Sequence, residues 1–117
     1  MRMSEITFAG LTPIDGYGPG FFRVGGGVIE GAMLVTAQGA RSWAGLIDPA
    51  PLVALGGEVD VILIGVGAEM AHLPPAFRAA IEAAGIGVEP MTSPAACRTY
   101  NVLLSEGRRV ALAALPV

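Results

Sequence analysis

Arg98, Asn101 and Ser105 are spaced three and four residues apart. At about 100° per residue, that spacing stacks them on one side of a helix. A guanidinium, an amide and a hydroxyl in one line can hold a carboxylate, a phosphate or a backbone carbonyl. Asparagine is a mediocre residue for a helix interior, so Asn101 needs a use there. Two uses stay open: tying the helix to neighbouring loops, or meeting a ligand or partner. Thr99 and Glu106 adjoin the stripe, and Glu106 with Arg108 or Arg109 fits an ordinary helix-end pair.

A second candidate is Gly65-Val66-Gly67, which follows the apolar run Val59–Ile64, interrupted only by Asp60. Open α/β sheets bind ligands at the carboxyl ends of their strands. A dinucleotide fingerprint would want a third glycine at position 70, but Met70 stands there, and Pro74-Pro75 delays the helix. Glu89 is spaced for a ribose contact. The default reading is a tight strand-exit turn. The alternative is a nucleotide or other anionic ligand held by Gly65, Gly67 and Arg98.

The remaining reactive types are sparse. Cys97 falls within the first turn and a half of the same helix, where the backbone dipole favours a thiolate. The wheel nevertheless places it on the apolar side with Ala96, Tyr100, Leu103 and Leu104, which predicts a buried, unreactive thiol. His72 is the one histidine and precedes Pro74-Pro75 in a loop. Asp15, Asp48, Asp60 and Glu69 show no paired spacing for acid–base work. One cysteine and one histidine are too few for a structural zinc site, and no intrachain disulfide can form. No catalytic residue, metal site or cofactor is assigned.

The elements that must position these groups read as two halves. In the first, Ile6-Thr7-Phe8 is a short strand, and Asp15-Gly16-Tyr17-Gly18-Pro19-Gly20 reads as a glycine-rich loop. Phe21–Val24 and Val28–Glu30 flank Gly25-Gly26-Gly27 as a hairpin or bulge. Ala32–Thr36 continues as a strand and turns at Gln38-Gly39 towards Trp43. Asp48-Pro49 starts a short helix that Gly56-Gly57 ends. In the second half, strand Val59–Ile64 is followed by helix Pro75–Ala84, with Arg78 and Glu82 four apart and Gly85 as its stop. Strand Gly87–Met91 comes next, then a helix capped by Ser93 with Pro94 at its first turn and Gly107 at its end. Arg109–Leu115 is the last strand. Strand–helix–strand–helix–strand predicts parallel pairing.

The 117 residues make one domain, 53% hydrophobic and 15% charged, with a formal charge of −3 and a mean hydropathy of +0.63. That composition excludes disorder, and the acidic balance argues against a nucleic-acid surface. All seven cations are arginines, in keeping with a GC-rich genome. The apolar runs Val61–Ala68 and Val110–Val117 are far shorter than the ~20 residues that span a bilayer. The N-terminus carries Glu5 and lacks the pattern of a signal peptide. The expectation is a soluble, cytoplasmic protein.

Ala95-Ala96-Cys97-Arg98-Thr99-Tyr100-Asn101-Val102-Leu103-Leu104, then Glu106-Gly107-Arg108-Arg109-Val110, resembles the signature of a small α/β family of unassigned activity, the MTH-domain type. The resemblance extends to the Gly-Tyr-Gly stretch with Phe22 and Val24, to Trp43, and to Val61–Gly67, covering roughly residues 14–116. Mitochondrial members include a complex I (NADH dehydrogenase) assembly factor and the adipogenesis-associated MTH-domain protein. The resemblance implies a single three-layer α/β domain with a central mixed sheet, helices packed on it and extra N-terminal β hairpins. It implies no catalytic residues, and it suggests an accessory role in building a membrane complex. No mitochondrial presequence is present, which fits a bacterial form. The two functional expectations are a non-enzymatic binding or assembly protein with a protein partner, and a binder of an anionic small molecule or nucleotide, or an enzyme, using a pocket near Gly65–Gly67 and Arg98. Gly65, Gly67, Arg98, Asn101 and Ser105 are the candidate ligand- or partner-binding residues, and self-association is compatible with either.

Overall fold

A computed structural model of the chain describes residues 5–7 and 10–117. Phe8, the third residue of the expected first strand, lies outside them. Among the described residues, nine strands and three helices follow in order: β1 Glu5–Thr7, β2 Ile14–Gly18, β3 Phe21–Val24, β4 Gly27–Glu30, β5 Met33–Thr36, β6 Gly39–Ser42, α1 Ala50–Val53, β7 Val61–Gly65, α2 Pro75–Ala83, β8 Gly87–Met91, α3 Ser93–Ser105 and β9 Val110–Ala114.

The central sheet has six strands in the order β1-β6-β5-β9-β7-β8; β2-β3-β4 form a separate antiparallel sheet. β7 is parallel to both β8 and β9, whereas β5 runs antiparallel to β9. The sheet is therefore mixed, with parallel pairing in the half where strands alternate with helices. The step from β7 out to β8 passes through α2, and the return to β9 passes through α3. Two crossovers of one hand that travel in opposite directions must lie on opposite faces of the sheet.

Strand alternation sorts the core accordingly. Leu63, Val110, Leu112 and Ala114 face one side, where Ala96, Cys97, Tyr100 and Leu104 of α3 meet Phe22, Val24 and Ile29 of the small sheet. Ile62, Ile64, Ala111 and Ala113 face the other, against Leu52 of α1 and Phe77 and Ile81 of α2. Trp43 closes this second core, its ring centroid 6.0 Å from that of Phe77 and its indole N–H donating to the Asp48 carbonyl at 3.0 Å. The result is the expected three-layer arrangement.

Where local signals differ from the structure, a longer-range partner explains the difference. The expected loop 15–20 is largely β2, because Phe21, Phe22, Arg23 and Val24 pair with it and a bulge between Ile14 and Gly16 absorbs the irregularity. The turn of the next hairpin falls at Ala37-Gln38, and Gly39 opens β6. α1 starts at Ala50 rather than at Asp48-Pro49, and β7 starts at Val61. Asp60 sits just before that strand and takes the Arg109 fork, with Nη2–Oδ1 at 2.9 Å and Nε–Oδ2 at 3.4 Å, while Nη1 donates to the Gly57 carbonyl at 3.2 Å. The fork holds the Asp60 carboxyl below its ordinary value. Arg109 therefore pairs across the fold, not with Glu106.

The outer edge at β8 offers few free backbone groups. At β8, Gly87 donates to Asp60 and Val66 donates to Met91, so Val88 and Pro90 present their backbone outward. Pro90 has no N–H to offer, and Arg78 Nη2 donates to the Val88 carbonyl at 3.3 Å. Arg78 also pairs with Glu82, at 3.4 Å, as the four-residue spacing predicts.

The Tyr100 side chain is fully buried, and its hydroxyl finds no partner among the described residues. Burial pushes its phenol up to about 12. Tyr100→Phe removes a desolvated hydroxyl and should raise stability by about 1 kcal/mol, a gain of about 4 °C in Tm. A thermal melt that fell instead would show that the hydroxyl is bonded.

Candidate functional site

The carboxyl ends of β7, β8 and β9 lie on one edge of the sheet, because the three strands run in parallel. From β7 the chain leaves for α2 on one face, and from β8 it leaves for α3 on the other. This divergence is the position where α/β proteins hold ligands. Here protein atoms fill it.

Ser93 is the plug. Its side chain is wholly buried. Its Oγ accepts the Gly67 N–H at 2.9 Å and donates to the Leu115 carbonyl at 2.6 Å. Its own N–H donates to the Gly67 carbonyl at 2.8 Å, Val66 N–H donates to the Met91 carbonyl at 2.9 Å, and Leu115 N–H donates to the Gly65 carbonyl at 2.8 Å. One hydroxyl therefore joins the segments leaving β7 and β9 to the first residue of α3.

Gly65 is there for proximity. A Cβ on it would stand 2.7 Å from Ser93 Oγ and 2.9 Å from Ser93 Cα. Gly67 instead needs its conformation, with φ at +105°.

The N-terminus of α3 is also spent. Ser93 N–H goes to Gly67, Pro94 has none, Ala95 N–H reaches Thr92 Oγ1 at 3.4 Å, and Ala96 N–H reaches the Thr92 carbonyl at 2.8 Å. The cap is therefore Thr92, not the Ser93 expected from spacing, because the Ser93 hydroxyl is committed to Gly67 and Leu115. A helix start without spare N–H groups does not cradle an anion the way a phosphate loop does.

The polar stripe divides into three separate duties. Asn101 Oδ1 accepts the Ile14 N–H at 2.7 Å, and its Nδ2 donates to the Ile14 carbonyl at 3.0 Å. The amide reproduces both bonds of a strand partner along β2, fastening the small sheet to α3. Ser105 Oγ donates to the Val102 carbonyl one turn back, at 2.7 Å. Arg98 is exposed and has no side-chain hydrogen bond among the described residues. The structure thus sets Arg98, Asn101 and Ser105 along one helix, and sets Gly65 and Gly67 against Ser93. His72 is exposed in the loop before α2, and Glu89 is exposed on β8. Among the described residues, no group of three His, Cys, Asp or Glu is placed to hold a metal ion.

Ser93 is the residue that spacing misassigned. Its partners are 22 and 26 residues away, so a local pattern carries no signal for them.

Cys97 is buried, as its helical face requires. Burial pushes its thiol up to about 11, against a smaller opposing pull from the Arg98 charge. A small aromatic disulfide should therefore react slowly at neutral pH, accelerate only as pH approaches that value, and react fast once denaturant is added. Immediate reaction at pH 7 would revive Cys97 as a nucleophile.

Three hollows among the described residues lie elsewhere. One of about 310 Å³ is bordered by Leu34, Arg41 and Leu55, and one of about 180 Å³ by Leu55, Glu58 and Arg108. A third, about 390 Å³ and wide open, lies on the outer side of β3 and β4.

This sheet order and these two covered faces define a small mixed α/β domain of the Mth938-like type. A solution structure of such a domain from Bordetella pertussis matches with a TM-score of 0.76, at 27% identity over 99% of this chain and 92% of that one. Residues 14–115 match the family described as a protein of unknown function (DUF498/DUF598), and the chain belongs to that family. An uncharacterised Rhodobacter capsulatus protein is 53% identical over all of this chain and 94% of its own length. A zebrafish NADH dehydrogenase [ubiquinone] 1 alpha subcomplex assembly factor 3 is 30% identical over 90% of this chain, which spans 64% of that protein. A crystal structure described as an outer membrane protein of Bartonella henselae matches with a TM-score of 0.84 and 33% identity, covering 94% of this chain and 98% of that one. Among the described residues, no helix is long and apolar enough to cross a membrane.

Proposed function

We propose that this protein is a non-catalytic binding protein that serves as an accessory in assembling a respiratory membrane complex, acting from the cytoplasm. The observation that carries the reading is the closed carboxyl edge. The crevice that this strand connectivity would offer to a small substrate is taken by Ser93 and its hydrogen bonds to Gly67 and Leu115. The similarity to the zebrafish assembly factor, which spans 90% of this chain, supplies the class of partner.

The second reading, an anionic small molecule near Gly65, Gly67 and Arg98, draws on the exposed guanidinium of Arg98 one turn into α3. A bacterium carrying a chromosomal deletion of the gene separates the two. The assembly reading expects membranes with less intact NADH dehydrogenase complex, restored by the wild-type gene, and the tagged protein cross-linked to subunits of that complex in the cytoplasmic fraction. Normal complex levels in the deletion strain, together with saturable nucleotide binding that Arg98→Ala abolishes at unchanged Tm, would replace it with the small-molecule reading. Recovery of the tagged protein in the outer-membrane fraction alone would overturn the cytoplasmic placement.

A further inference from the structure

The outer side of the small sheet carries four side chains in a regular grid. Phe21 stands opposite Glu30 and Arg23 opposite Val28 across the β3–β4 ladder. Their neighbours Phe22, Val24 and Ile29 are buried on the inner side, so these four face out. On the β2 side the grid meets only glycine, since Gly18 pairs with Phe21 and Gly16 with Arg23. The Phe21 ring takes the space a side chain at Gly18 would need, with its Cε1 2.5 Å from the position of a Cβ there. Arg23 and Glu30 are exposed, and neither forms an ion pair among the described residues. The open hollow of about 390 Å³ lies over this grid.

The apolar pair occupies one diagonal of the grid and the charged pair the other. A two-fold axis laid along the Phe21–Val28 diagonal superposes each apolar residue on its own copy. The same rotation brings Arg23 onto Glu30 of the second copy, and Glu30 onto Arg23. The patch is complementary to itself in both shape class and charge, which is what an isologous contact requires. With strands ~4.8 Å apart and alternate residues ~6.8 Å apart, the diagonal lies roughly 35° from the strands. The two small sheets would therefore cross at about 70°, close to the orthogonal class of sheet packing.

We propose that the outer face of β2-β3-β4 is the contact through which two copies of this chain associate, sealed by reciprocal Arg23–Glu30 pairs around Phe21 and Val28. Three strands of four or five residues cover far less than the roughly 800 Å² per partner of a standard interface, so the dimer is weak and concentration-dependent. The range to search for its dissociation constant is about 100 µM to about 1 mM.

Sedimentation equilibrium from about 10 µM to about 2 mM brackets that range. The wild type should rise in average mass across the series. Arg23→Glu alone and Glu30→Arg alone each set like charges opposite one another and should stay monomeric. The combined R23E/E30R chain re-creates the reciprocal pairs and should associate again. Wild-type backbone amide shifts on dilution, concentrated at residues 21–23 and 28–30, give a second readout free of any variant's folding. A wild type that stays monomeric to the highest concentration overturns the proposal. So does association that the single charge reversals leave unchanged, or a double variant that fails to recover. Loss of a different cross-linked protein in the single variants, with the wild type monomeric, would assign the face to that other partner.

Discussion

Ser93→Ala is expected to lower the unfolding free energy by about 2 kcal/mol, since removing one buried hydroxyl unpairs two half-buried backbone groups at once. The Gly67 N–H loses its acceptor and the Leu115 carbonyl loses its donor; the hydroxyl is wholly buried, and Gly67 and Leu115 are half-buried. A domain of this size should lose about 8 °C in Tm. Hydrogen exchange gives a more local reading. The Gly67 amide should speed up far more than the amides of α2, which make no contact with the hydroxyl. A loss below about 1 kcal/mol would mean that water enters and takes over both bonds. The edge would then be accessible after all, and the small-molecule reading would gain.

Gly65→Ala should cost about 3 kcal/mol for a different reason, overpacking rather than lost bonding. The added methyl would stand 2.7 Å from Ser93 Oγ, 2.9 Å from Ser93 Cα and 3.1 Å from Ala114 Cβ. Two of these neighbours are backbone or the stub of a residue within a central strand, so neither can swing aside. Either β7 or the first turn of α3 has to move. Gly16→Ala is the control. A Cβ there meets nothing within 4 Å, and its backbone is not left-handed, so its Tm should stay within about 2 °C of the wild type. Unfolded-state entropy favours alanine at both positions, so an equal loss at the two glycines would show that the Ser93 contact is not the cause.

These two residues mark the limit of what one-dimensional patterns reveal. The run Val61–Ile64, the face Phe77 and Ile81, and the stripe Ala96, Cys97, Tyr100, Leu104 were all legible, because burial imposes a period on each of them. Asn101 was legible as an anomaly, a poor helix former in mid-helix, although its partner Ile14 lies 87 residues away. Ser93 was not. A serine before a proline at a helix start satisfies the local rule for a cap so well that a long-range duty leaves no trace. The stretch Asp15–Gly18 was hidden by the opposite effect, since glycines there advertise a turn while the chain pairs with Phe21–Val24. Asp60 looked like a blemish in a strand until the fold delivered Arg109 to it.

The position of β9 has a consequence for how the chain comes together in time. It lies between β5 and β7, so Met33 pairs with Ala114 and Val61 with Val110. Until residues 110–114 have left the ribosome, the β5–β6 hairpin and the β7–β8 pair are two unjoined pieces. Each then shows an unpaired edge and an uncovered apolar side to the cell. The wedge that unites them is made after both, and its arrival closes the two cores in one step. Folding of these strands therefore waits for β9 and is slowed by distant pairing. Throughout that interval the strand edges that β9 will cover are open to non-native pairing.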